Sequence, residues 1–282
     1  MANEAMREQW TVGAGGWVQH RELFEVELAG FADVLLDAVP ITPSGRVLDV
    51  GCGTGGLLAR YLAAGCTGVG VDISATMVEG AREAVPEGTF LVADAQTEDL
   101  TAHGGFTHVV SRFGVMFFDD PVAAFTNIRR SVVPGGRIGF VCWRRIEENP
   151  MFTLGTSVLQ DRMDPSPPPP VPGQPGPFGL AEPGHAPSVL TEAGWVEVQA
   201  EAVDVLCDYG IAGSDGVEER LTMILGTTSG RAAQAALEPR LGQEGWAALL
   251  DEVRDELRRH LVGGRVAFDG AVWLVTAVQG GR

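Results

Sequence analysis

Asp49, Gly51, Gly53, Gly55 and Gly56 fall within one short stretch, Val47-Leu48-Asp49-Val50-Gly51-Cys52-Gly53-Thr54-Gly55-Gly56. An apolar strand runs into a glycine-rich turn, and Leu57-Leu58-Ala59-Arg60-Tyr61-Leu62 reads as the helix that follows. That is a nucleotide-cofactor loop, and it fits two chemistries. Gly51, Gly53 and Gly56 have the dinucleotide spacing G-x-G-x-x-G, with Asp72 about 20 residues on, where that fingerprint places an acid. The same residues also place an acid, Asp49, two positions before the first of three alternating glycines.

Electrostatics separates the two. A dinucleotide brings a pyrophosphate to backbone N–H groups and the positive end of a helix. A carboxylate at Asp49, beneath that loop, opposes it. S-adenosylmethionine brings a sulfonium and an ammonium and no phosphate, and an acid there suits it. Glycines let the backbone approach the cofactor closely. Asp72 ends the second strand in Val69-Gly70-Val71-Asp72 and can accept both ribose hydroxyls; Ile73 and Met77, which follow it, belong to the same cofactor-binding set. Asp94 ends the third strand and suits the adenine amino group, with the Ala95 N–H reaching a ring nitrogen. Ser111 and Arg112 follow the fourth strand, where main-chain carbonyls can hold the methionine ammonium. Cys52 fills a small apolar place in the loop.

These residues must be positioned by alternating strands and helices. Strands are expected at 46–50, 68–72, 89–93, 106–111 and 137–143, with helices at 55–64, 74–84 and 121–133. Pro134-Gly135-Gly136 makes the last turn. Units of this length imply an α/β fold with a parallel sheet covered on both faces. Residues 1–45 read as an amphipathic helical cap, broken at Ile41-Thr42-Pro43-Ser44-Gly45. Residues 46–145 form the cofactor-binding core. Residues 146–187 are an insert in which ten prolines fall between 164 and 187, and it is expected to act as a lid. Residues 188–282 complete the sheet. They are expected to hold a helix at 188–193, a strand at 196–206, a helical insert at about 207–262 and a last strand at 266–278.

Leu48-Asp49-Val50-Gly51-Cys52-Gly53-Thr54-Gly55, with Gly70-Val71-Asp72, Ala93-Asp94-Ala95 and Val132-Val133-Pro134-Gly135-Gly136-Arg137, resembles the class I S-adenosylmethionine-dependent methyltransferases. The resemblance is carried by about 46–145. It implies a Rossmann-like, doubly wound, mostly parallel sheet of seven strands in the order 3-2-1-4-5-7-6, strand seven antiparallel. Ser111 to Phe118, the N-terminal helices and the 207–262 insert are similar to the small-molecule branch, which includes quinone- and natural-product-modifying members. The expected activity is methyl transfer to a small, hydrophobic or aromatic metabolite or natural product. The alternatives are a cyclase- or pericyclase-like enzyme that holds the same cofactor without methylating, a nicotinamide-dependent oxidoreductase, and a binding module that kept the pocket.

Trp10, Phe113, Met116, Phe117, Trp143 and Phe178 are the candidate acceptor-pocket residues, with Phe118, Met151 and Phe152 beside them. Trp17 is placed to close over the cofactor, which would bring His20 near. His20 and His185 are the candidate general bases. His103 and His108 flank the start of the fourth strand and read as solvated. Arg112, Arg144 and Arg145 suit an acceptor carboxylate or partners among the acids.

The 282 residues carry a net charge of −17, and the twenty basic residues are all arginine. An acidic chain with no basic run is a poor partner for nucleic acid or for an anionic membrane surface. The absence of lysine excludes a lysine Schiff base, a P-loop lysine and a tyrosine–lysine hydride-transfer pair. The four cysteines form no C-x-x-C and suggest no metal site. Neither a signal peptide nor a membrane span is read, so a cytoplasmic monomer or homodimer is expected.

Overall fold

The computed structural model describes residues 3–40, 43–171 and 173–281. Met1, Ala2, Ile41, Thr42, Pro172 and Arg282 lie outside the described residues, and with them part of the expected break at 41–45.

Three helices open the chain: α1 (Glu4–Gln19), α2 (Arg21–Glu27) and α3 (Ala29–Ala38). Phe24, Leu28, Phe31 and Leu35 are buried at three- and four-residue intervals, one stripe across two helices. The alternating part follows as β1 (Arg46–Val50), α4 (Gly56–Ala63), β2 (Thr67–Asp72), α5 (Ala75–Ala84), β3 (Thr89–Val92), β4 (Phe106–Arg112), α6 (Pro121–Arg130) and β5 (Val132–Trp143). Val47, Leu48, Val69, Val71, Val109, Val110, Ile138 and Phe140 are all buried. Strands apolar on both faces form where helices cover both sides of a parallel sheet. The register sets Asp49 level with Gly70 of β2 and Val110 of β4.

The chain continues through α7 (Thr156–Gln160), α8 (His185–Glu192), β6 (Trp195–Asp208), α9 (Val217–Gly226), α10 (Thr228–Arg259), β7 (Leu261–Val262) and β8 (Arg265–Gln279). The sheet order is β3-β2-β1-β4-β5-β8-β6, and β8 runs antiparallel to both its neighbours. This is the expected order with one addition: the two-residue β7 pairs with β8, giving eight strands among the described residues. Gly263 and Gly264, at φ 59° and 82°, make the tight turn between them.

Several boundaries differ from the sequence reading. β5 begins at Val132, and Pro134-Gly135-Gly136 is an irregularity within it, because the pairing shifts between Phe106 and His108. α8 begins at His185, three residues before the expected start at Ser188. α9 and α10 divide at Thr227, whose hydroxyl accepts from the Gly230 N–H and starts the second helix. His108 is not solvated. It is buried between β1 and β5, and burial together with Arg137 holds its pKa below the usual imidazole range. His103 is half-buried, and its carbonyl accepts from the Arg46 guanidinium.

Within the proline-rich insert, Pro165–Val171 is exposed, whereas Phe178, Leu180 and Ala181 are buried. The buried part is pinned to the exit of β4 by the Gly176 N–H, which donates to the Met116 carbonyl at 3.1 Å. Trp273 Nε1 donates to the Ala181 carbonyl at 2.9 Å.

Candidate active site

The glycine loop leaves β1 and turns back against the chain that leaves β4. Gly51, Gly53 and Gly55 have φ of 68°, 53° and 85°. A Cβ on Gly51 would stand 2.5 Å from the Gly114 Cα, so this close approach of two backbones requires glycine. The loop is held by the Gly51 and Cys52 N–H groups, which donate to the Val71 carbonyl. It is held also by the Gly53 N–H, which donates to Asp72 Oδ2 at 2.9 Å. At Gly56 a Cβ would lie 2.2 Å from the Glu25 carboxylate, the mobile end of a side chain on α2.

The three strand-end acids differ in how they are satisfied. Asp72 Oδ1 accepts from the Ser74 N–H at 2.9 Å; burial raises its pKa, and the Ser74 and Gly53 N–H groups oppose that. Asp94 is 6% exposed, and its Oδ1 accepts from the Gln96 N–H and from Asn3 Nδ2, each at 2.9 Å. Asp49 is 1% exposed, and its Oδ2 has no hydrogen-bond partner among the described residues. Burial pushes the Asp49 carboxyl up to about 7, against the pull of the Arg112 guanidinium. A buried acceptor with an unused oxygen costs roughly 1–3 kcal/mol unless a donor reaches it. Such a site fits an ammonium donor and opposes a pyrophosphate. The Cys52 thiol is raised by burial and by Asp72 and Asp49, which holds it protonated and unreactive.

Ser111 ties the two loops together: its hydroxyl donates to the Val50 carbonyl at 2.7 Å and accepts from the Gly114 N–H. Arg112 is committed to α2, through Glu25 at 2.7 Å and the Leu28 carbonyl at 3.2 Å. Arg144 pairs with Glu148 and Asp204, and Arg145 with Glu182. Ala95 and Met77 are buried, and Ile73 is half-buried.

The aromatic residues named for the acceptor pocket fall into two clusters. Phe113 stacks on Trp143 at 4.0 Å and meets Phe31 edge-on, while Phe152 bridges Trp143 and Phe178. Met116 joins them, its sulfur accepting from the Trp143 N–H at 3.4 Å. The second cluster belongs to the N-terminal helices. Trp10 meets Phe117 and Trp17, and Trp17 stacks on Phe24 at 3.8 Å.

The structure does not bring either candidate histidine to the strand-end acids. His20 caps α1 and lines a shallow cleft of about 300 Å³ with Gly16, Gln19, Thr222, Gly226 and Arg231. Trp17 turns to Phe24 instead of drawing His20 over the loop. His185 opens α8, beside Gly173 and Glu182.

Three groups escaped the sequence reading. Asn3 reaches Asp94 and Asp119, with no local signal. Glu25 approaches Gly56 and Arg112. Glu27 is buried, hydrogen-bonded by the Tyr209 hydroxyl and close to the Arg220 guanidinium. Glu27 had a signal: it stands three residues after Phe24 in the buried stripe, where a charge must find a partner.

A parallel sheet reversed by one antiparallel strand, a glycine loop after β1 and acids at the ends of β1, β2 and β3 make a Rossmann-like α/β fold with a cofactor-type loop at its strand ends. Residues 48–140 match the methyltransferase-domain family. The chain is 31% identical over 144 residues to a malonyl-(acyl-carrier protein) O-methyltransferase of Enterobacter lignolyticus, covering 47% of this chain and 55% of that protein. It is 32% identical over 126 residues to a demethylmenaquinone methyltransferase of Renibacterium salmoninarum, covering 45% and 53%. The chain thus spans about half the length of these curated relatives. Among solved structures, the (4+2)-cyclase SpnF shares the fold, with a TM-score of 0.51, 19% identity, and coverage of 89% of this chain and 80% of that one. No helix among the described residues is long and apolar enough to cross a membrane.

Proposed function

We propose that the protein is an S-adenosylmethionine-dependent methyltransferase acting on a small hydrophobic or aromatic metabolite or natural product. The observation that carries the reading is the unpartnered, buried Asp49 carboxylate oxygen beneath the glycine loop. When bound, the cofactor supplies an activated methyl group on a sulfonium, so the protein's task is orientation. Asp49 and the backbone around Gly51 and Ser111 receive the cationic end. Asp72 holds the ribose hydroxyls, and Asp94 with Ala95 reads the purine. Phe113, Met116, Trp143 and Phe178, together with Trp10 and Phe117, exclude water and hold a flat acceptor. The names of the curated relatives, one acting on a malonyl carrier and one on a quinone precursor, support a small-molecule acceptor.

Titration calorimetry with S-adenosylhomocysteine and with NAD(H) tests the cofactor; binding of the nicotinamide alone would refute the reading. Incubation with methyl-labelled cofactor and candidate acceptors tests the transfer. Product formed without label would assign the protein to the cyclase-like chemistry instead.

A further inference from the structure

Asn3 is 2% exposed, and both ends of its carboxamide are used. Its Nδ2 donates to Asp94 Oδ1 at 2.9 Å and to Gln96 Oε1 at 3.2 Å. Its Oδ1 accepts from the Asp119 N–H at 2.7 Å, while its own backbone N–H donates to Asp119 Oδ2. Two acceptors on one side and an N–H on the other admit only this orientation of the amide. Asn3 therefore bridges the exits of β3 and β4, and from it α1 crosses the exit of β2. There the Trp10 carbonyl accepts from Ser74 Oγ at 3.3 Å. Further along, a Cβ on Gly80 would stand 3.1 Å from Val18, so α1 lies close along α5.

The distribution of hydrogen bonds on Asp94 is one-sided. Oδ1 takes both the Gln96 N–H and the Asn3 amide, and no hydrogen bond to Oδ2 is formed among the described residues. We propose that Asn3 is a positioning residue for purine recognition: the clasp fixes Asp94 so that Oδ2 is turned to the exocyclic amino group of the cofactor, and it couples that recognition to closure of α1. The inference rests on the methyltransferase reading. It makes α1 a strap that must open at Asn3 to admit or release the cofactor, and an intact clasp selects a 6-amino over a 6-oxo purine.

The test uses the full chain tagged at its C-terminus, with two substitutions. Asn3→Asp is isosteric and keeps the acceptor for the Asp119 N–H, but it sets a carboxylate oxygen against Asp94 and Gln96. Asn3→Leu removes both ends. S-adenosylhomocysteine and its deaminated analogue, S-inosylhomocysteine, are the probes, with dissociation followed by stopped-flow tryptophan fluorescence, to which Trp10 and Trp17 on α1 contribute. Loss of one hydrogen bond to a carboxylate predicts about tenfold faster dissociation of the adenosyl ligand and a similar fall in discrimination between the two ligands. A merely structural cap would lower the melting temperature and leave the discrimination unchanged, and that result overturns the inference. Failure of the unsubstituted protein to bind S-adenosylhomocysteine overturns the methyltransferase reading and the clasp with it. Normal binding with unaltered discrimination in both variants overturns the clasp alone.

Discussion

Asp49 at the exit of β1 and Glu27 at the end of α2 are both buried acids whose pKa is raised by desolvation. Their surroundings are opposite. Glu27 is answered from two elements: the Tyr209 hydroxyl donates to it, and Arg220 lies close enough to favour its charge. Arg220 is itself 3% exposed, donates to the Met151 carbonyl and lies over the Tyr209 and Phe268 rings. At the seam between α2 and α9, Glu27 thus has both a hydroxyl donor and a nearby cation, although Arg220 Nε finds no hydrogen-bond partner among the described residues. At Asp49 the nearest cation, Arg112, is engaged by Glu25, and one carboxylate oxygen is left without a donor. Burial alone does not mark a site; at Asp49 burial is joined to an unanswered carboxylate oxygen beneath the glycine loop.

The comparison can be broken from either side. The largest effect is expected at the seam. Arg220→Ala leaves Glu27 buried without its cation and should destabilise the fold by about 3–5 kcal/mol in urea unfolding. A loss under 1 kcal/mol would show that Arg220 does not answer the Glu27 charge. Next comes the loop. Asp72→Ala should weaken S-adenosylhomocysteine binding by about 1–3 kcal/mol in calorimetry, because the donors it serves are left unpaired. Unchanged affinity would remove Asp72 from the site.

Asp49 sharpens the contrast through pH. Its folded pKa, about 7, is raised above the ordinary carboxylate value of 3.8. The folded state therefore binds a proton that the unfolded state has released. The stability associated with that proton is fully present below the ordinary value and is lost as pH rises to about 7, with little further change above. Asp49→Asn should flatten this part of the stability profile. It should also abolish the rise in affinity for the cationic cofactor as pH increases through the same window. A wild-type slope retained in Asp49→Asn would refute the assignment. The smallest effect is expected at the surface: Arg145 and Glu182 form a solvent-screened pair, and Arg145→Ala should leave the thermal unfolding midpoint unchanged.

The glycine loop and the strand-end acids were legible in the chain because their determinants are local, whereas the order of the sheet came only from the resemblance to a family. Gly51, Gly53 and Gly55 are spaced for one turn, and Asp49, Asp72 and Asp94 each follow a run of strand-forming residues. Glu27 was legible in principle from the Phe24–Leu28–Phe31 stripe, although its partners, Tyr209 just past β6 and Arg220 on α9, were not. His108 misled because an imidazole beside a turn reads as solvated, whereas helices and strands on every side of β4 buried it. His20 and His185 attracted attention by residue type, and their positions depended on how α1 and α8 pack.

By itself the sequence determined the alternating architecture, the cofactor-type loop and the acidic character of the strand ends, because periodicity, glycine freedom and strand-end placement act over a few residues. Only the tertiary structure decided which acids are answered. Asn3 meets Asp94 across 91 positions, Tyr209 meets Glu27 across 182, and Glu25 reaches Gly56 from another helix. Hydrogen bonding and desolvation depend on which groups folding brings within about 3 Å, and separation along the chain carries no record of that.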